Sequence, residues 1–178
     1  DKKPTPIIEP QYWELIIVIR NTGRRFEDIC HLIAEDKDKS MECLQYDLDG
    51  DPMLYLDHRI AKIPRDLRIP LAHIKDSNGN NMVEKAILRQ MERVKELAPV
   101  NDGYKYLFRE IKMDNRGLGE GKVIFDNSGA YIVDSINYNI FNNKTILPNV
   151  CNEIPLKNID GSIYKISTHQ FRHTVATE

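Results

Sequence analysis

The sequence predicts an α+β domain, mainly helical, with a small antiparallel three-stranded sheet and an extra hairpin. Three observations carry this expectation: helical stretches at about 12–19 and 80–98, three short β-type segments between Met41 and Leu71, and an Asp160-Gly161 turn between apolar residues. With 178 residues, 41% hydrophobic and 29% charged, the chain has the length and balance of one globular domain with its own core. No internal repeat, low-complexity tract or long linker divides it, so residues 1–178 read as a single domain.

The elements follow in order. Pro10 ends an extended lead-in, and Tyr12, Trp13 and Leu15–Ile19 make a nearly all-apolar run that stops at Asn21-Thr22-Gly23. This is the pattern of a buried helix with a glycine terminator. Phe26, Ile29, Cys30 and Ile33 lie along one side of a second helix. Cys43–Tyr46, Met53–Leu56 and Leu67–Leu71 are the three strands, separated by DLDGDP and HRIAKIPRD. Val83, Ile87, Met91 and Val94 recur at helical spacing opposite Glu84, Lys85, Arg89, Glu92, Arg93 and Glu96, which predicts an amphipathic helix. Polar, glycine-punctuated residues 101–127 read as loops with one short helix. Apolar residues at 132, 133, 136, 140 and 141 predict a further helix over Tyr131–Phe141. Residues 151–167 read as two strands around Asp160-Gly161. Ser167 or Thr168 is placed to N-cap a last helix beginning at His169.

Composition excludes several classes. Cys30, Cys43 and Cys151 are odd in number and without C-x-x-C spacing, so neither a disulfide framework nor a cysteine zinc site is indicated, and a reducing, cytoplasmic setting is expected. Neither a run of about 18 apolar residues nor a signal-peptide pattern is present, so no membrane partner is expected. The formal charge of −2 is unlike the basic excess usual in nucleic-acid enzymes. Positive charge is instead clustered: Arg24 and Arg25 adjoin, and His58, Arg59, Lys62, Arg65 and Arg68 fall in one short segment. Clusters of this kind can form an anion-binding surface on a chain of neutral balance.

At the end of the chain His169, Arg172 and His173 stand at i, i+3 and i+4, on one helical face. A guanidinium fork beside two imidazoles suits a phosphate; a solvated basic helix end has the same spacing. Zinc is disfavoured, because Gln170 stands where the H-E-x-x-H motif needs a general base and Arg172 would sit beside the metal. Asp47, Asp49 and Asp51 suggest a calcium loop, but Pro52 and His58 occupy the positions that require glycine and glutamate, so a polar hairpin turn is expected. Gly117–Gly121 lacks the strand-to-helix setting of a phosphate loop.

Placed in order, three segments resemble the motifs of the tyrosine recombinase superfamily, the phage and transposon integrases. NTGRRFEDI (Asn21–Ile29) resembles the T-G-x-R-x-x-E box, AKIPRDLRIPL (Ala61–Leu71) the hairpin whose lysine stands eight residues before a proline, and STHQFRHTVAT (Ser167–Thr177) the H-x-x-R-H box. The resemblance assigns Arg25, Lys62, His169 and Arg172 to catalytic positions, and places Asp28, His173, Arg24 and Arg65 against DNA phosphate or behind the catalytic groups. It implies no metal and no cofactor. Implied partners are double-stranded DNA and other recombinase protomers in a tetrameric synapse, with a monomer or weak dimer off DNA, in a protein encoded by a bacterium, phage or mobile element.

The implied activity is DNA breakage and rejoining through a 3′-phosphotyrosine intermediate. Two arginines clamp the non-bridging oxygens, Lys62 is the general acid to the leaving 5′-oxygen, and His169 assists proton transfer. Type IB topoisomerases share this chemistry, but the spacing here is closer to integrases. None of the eight tyrosines follows Arg172, where the family has its nucleophile, and the lead-in is short for the family's separate DNA-binding domain. The expectation is therefore a catalytic domain without the N-terminal DNA-binding domain and the C-terminal nucleophile segment, which binds DNA and does not cleave it. Two alternatives stay open: a non-catalytic DNA-binding or regulatory fragment, and an unrelated helical protein with a basic patch.

Overall fold

The computed structural model describes residues 10–61, 63–95, 104–111, 113–114, 122–123, 133–136, 146–153 and 157–170. Helix α1 (Pro10–Thr22) begins on a proline, whose fixed φ and missing N–H suit a first helical turn. It ends where Gly23 turns to φ 61° and its N–H reaches the Ile19 carbonyl at 3.0 Å. A left-handed residue at this position closes the helix, which is why glycine stands there. Leu15, Val18 and Ile19 are wholly buried. Their stripe packs on α4 (Met82–Lys95), which buries Val83, Ala86, Ile87 and Val94. Asn81 starts α4, its Oδ1 accepting the Glu84 N–H at 2.9 Å.

Between these helices lie α2 (Phe26–Cys30), β1 (Ile33–Asp36), β2 (Leu44–Tyr46), β3 (Pro52–Leu56), α3 (His58–Ala61) and β4 (Leu67–Pro70). The predicted three-stranded antiparallel sheet is present in the order β2-β3-β4, with Leu44 opposite Leu54 and Leu56 opposite Leu67. Its first turn is a polar hairpin turn: the Asp47 carboxylate accepts the N–H groups of Asp49 and Asp51, and Gly50 takes φ 84°. The remaining elements are β5 (Tyr104–Tyr106), β6 (Arg109–Ile111), β7 (Met113–Asp114), β8 (Lys122–Val123), β9 (Val133–Ser135) and α5 (Ile146–Glu153).

The structure corrects several expectations. The second helix stops at Cys30; Ile33 belongs to β1, paired antiparallel with β5. Ile33 is 2% exposed in the strand, so its burial fits either reading and the spacing could not distinguish them. Within 101–127, read as loops and a short helix, the described residues form β5–β8. In Tyr131–Phe141, read as helix, Val133–Ser135 is a strand paired with β6, and 131–132 and 137–141 lie outside the described residues. Cys151 begins no strand but sits in α5, buried like Ile146, Leu147 and Val150 of the same helix. The Asp160-Gly161 turn is where predicted, Gly161 at φ 82°; among the described residues it is flanked by one bridge, Lys157 to Ile163, in place of two strands. Among the described residues, no helix is long and apolar enough to cross a membrane.

Candidate anion-binding site

The Gly23 turn delivers Arg24 and Arg25 to the start of α2, where Arg25 is the extended residue before the first turn (φ −66°, ψ 147°). Asp28, one turn on, is 1% exposed. A carboxylate so buried must be fully hydrogen-bonded or paired, and two guanidiniums meet it. Arg25 donates from Nε (3.2 Å) and one terminal nitrogen (2.9 Å), and Arg24 donates a longer bond of 3.4 Å. The hydrogen bond to Asp28, reinforced by its charge, raises the Arg25 pKa above its ordinary value, so Arg25 remains a cation at any working pH. The acidic residue of the first motif thus orients both arginines.

The second motif occupies the connection between β3 and β4. Asp57 caps the single turn α3: its carboxylate accepts the Arg59 N–H at 2.8 Å, and its carbonyl accepts that of Ala61 at 2.9 Å. It also holds the Arg59 guanidinium, which keeps its carboxyl below the usual range despite burial. At the other end of the connection, Asp66 Oδ1 accepts the His58 backbone N–H at 3.0 Å and stands 2.6 Å from His58 Nδ1. The backbone bond first, then the ring, hold the Asp66 carboxyl at about 2. Beside them, burial and Asp66 push the Tyr55 hydroxyl up to about 12. Asp57, His58 and Asp66 offer three ligand atoms within 4.8 Å of one another. However, Arg59 and the α3 backbone already occupy Asp57, the His58 ring already holds Asp66, and the Arg59 charge opposes a cation, so the trio is accounted for by these two pairs.

From this connection Ile63 turns into the core at 8% exposure, while Pro64 and Arg65 stay at the surface and meet the first motif. Arg24, Arg25, Ile63, Pro64, Arg65 and Leu67 line one open hollow of about 350 Å³. Three guanidiniums, together with the apolar surface of Ile63, Pro64 and Leu67, make a seat for an anion that carries an organic substituent. Arg24 Nε is buried without a hydrogen-bond partner among the described residues, an unsatisfied donor of a kind that native proteins rarely leave.

The predicted residues divide accordingly. Arg24, Arg25 and Arg65, some 40 residues apart in sequence, share the hollow, and Asp28 anchors two of them. His169 is exposed and is not among the residues lining the hollow. Helical residues 168–170 begin one residue before the predicted His169: the Ser167 N–H donates to Gln170 Oε1 at 2.7 Å, the returning half of a capping box. Lys62, Arg172 and His173 lie outside the described residues. Sequence reasoning missed the Asp57–Arg59 and His58–Asp66 pairs. Asp57 directly before a helical turn was the available signal for the first; the second joins residues that only the chain reversal brings together.

No family model and no curated protein matches the chain. Among solved structures it is similar to that of the Tn1549 transposon integrase in complex with circular intermediate DNA, with a TM-score of 0.49 and 16% identity. The likeness covers 97% of this chain and 47% of the other, so the chain spans about half the length of that structure.

Proposed function

We propose that this chain is a tyrosine-recombinase-type catalytic domain whose Arg24–Arg25–Arg65 hollow receives a backbone phosphate of double-stranded DNA. The observation that carries the reading is the convergence of arginines from two sequence-distant motifs, the Asn21–Ile29 box and the Ala61–Leu71 hairpin, on one hollow. Arg25, fixed bidentately on Asp28, is preorganised to meet a non-bridging phosphate oxygen. Preorganised donors of this sort stabilise the developing charge of phosphoryl transfer and are worth about 3–4 kcal/mol each in comparable sites. In the same reading Arg172 is the second clamp, Lys62 the general acid and His169 its assistant, as the resemblance implies. The nucleic-acid partner follows from the chemistry, because a phosphodiester presents both the anion and the sugar that the Ile63–Pro64–Leu67 wall can contact.

The test is binding of a fluorescein-labelled DNA duplex at fixed low salt. Arg25→Ala and Arg65→Ala are expected to weaken binding, by about tenfold for Arg25; Arg65→Ala should leave the melting temperature near that of the parent, whereas Arg25→Ala lowers it modestly by taking the bidentate partner from buried Asp28. Unchanged binding in Arg25→Ala would remove the reading.

A further inference from the structure

The hollow has two walls of different origin. Arg24 and Arg25 are held from below by Asp28, within four residues of it. Arg65 has no such local anchor among the described residues; its place depends on the path of residues 57–66. That path is pinned at two points. Ile63 and Ala61 are buried in the core, and the neck, where Leu56 faces Leu67 across the sheet, is fastened by Asp66. One oxygen of Asp66 engages both the backbone N–H and the ring nitrogen of His58, eight residues away. Asp66 immediately follows Arg65, so the carboxylate that fastens the neck also sets the direction in which Arg65 leaves the backbone.

We infer that Asp66 is a positioning residue for the anion-binding hollow: by fastening to His58 it presents Arg65 opposite Arg24 and Arg25. The inference rests on the reading of the hollow as a phosphate seat and adds a device to it. Asp66 itself carries the wrong charge to touch a phosphate, so its effect on binding must pass through its neighbour. A negative charge next to a phosphate site ordinarily weakens binding; here its removal is expected to do so.

The experiment measures affinity for the same fluorescein-labelled duplex in the whole chain, with Asp66→Ala, Arg65→Ala, the double variant and Arg25→Ala. Asp66→Ala is expected to weaken binding about fivefold, the ordinary size of coupling between groups in contact. It should add nothing in the Arg65→Ala background, which a merely structural role would not produce. Asp66→Asn, whose amide oxygen still accepts the His58 N–H, should recover most of the loss. If Asp66→Ala does not fold, His58→Phe, which deletes only the ring partner, carries the same comparison, with weaker binding expected and lost in the Arg65→Ala background. Equal or tighter binding by these variants, or full additivity with Arg65→Ala, overturns the positioning role while the loss in Arg25→Ala leaves the phosphate reading standing. Undiminished binding by Arg25→Ala overturns both.

Discussion

Two buried carboxylates in this domain each hold a pair of arginines, and they differ in what they join. Glu14, 5% exposed in α1, takes Arg89 bidentately at 2.8 and 2.7 Å and Arg93 at 3.1 Å, both from α4. These pairs span 75 and 79 residues, so the cluster fixes how two core helices sit together. Asp28 takes Arg24 and Arg25 from within four residues, so it adds little to the long-range fold. Its arginines instead open onto a hollow. The same three-residue composition is a tertiary strut in one place and an aiming device in the other, and sequence separation tells them apart.

The largest expected effect belongs to the strut. Glu14→Ala removes the carboxylate that ties Arg89 and Arg93 of α4 to α1. Removing one partner of a fully buried ion pair costs about 3–5 kcal/mol, but both arginines are more than a third exposed here, so about 2 kcal/mol is expected by urea unfolding. DNA binding of the folded fraction should not change. Next, Arg25→Ala should lower affinity about tenfold and cost less stability than Glu14→Ala, about 1 kcal/mol, because the buried Asp28 keeps only the 3.4 Å bond from Arg24. If Glu14→Ala weakened DNA binding as much as Arg25→Ala does, the distinction between strut and aiming device would collapse.

Acid probes the strut directly. Burial raises the Glu14 pKa, but hydrogen bonds and charge from Arg89 and Arg93 outweigh it, and the net shift is below its ordinary 4.5. A depressed folded value means stability that is present above the unfolded value and is lost as the pH falls below 4.5 toward the folded one. Stability should therefore decline below pH 4.5 in the parent and decline less steeply in Glu14→Gln. A parallel acid limb in the two proteins would show that Glu14 contributes no such linkage.

How much of this was legible in the sequence varies with range. The α4 stripe and the β2-β3-β4 sheet were readable because their signals are local: helical spacing for one, short runs between turns for the other. Arg25 was readable from its motif, and Asp28 from its place in that motif. Glu14 was not, since one acid inside an apolar run gives no hint of partners 75 residues away. The pairing of β1 with β5, Ile33 opposite Tyr106, was hidden for the same reason: Ile33 completes a helical spacing as well as it fills a strand, and only the distant partner decides. The hollow lies between these cases. Its arginines were chosen in advance, but their meeting depends on the neck that Asp66 closes, which spacing alone does not reveal.

The smallest expected effect is also the most specific to the comparison. A cation that touches DNA phosphate displaces condensed counterions, so the logarithm of affinity falls with the logarithm of salt by about 0.9 for each phosphate neutralised on duplex DNA. Arg65→Ala should weaken binding only a few-fold at fixed salt, yet flatten that slope by about one contact. Arg89→Ala removes the same charge from the same chain at 49% side-chain exposure, and should leave the slope as it is. A general effect of net charge would flatten both slopes alike, and would mean that Arg65 attracts DNA from a distance without contacting it. A flattened slope in Arg65→Ala alone places the contact at the hollow, because the two variants differ in where the arginine stands and not in how much charge is lost.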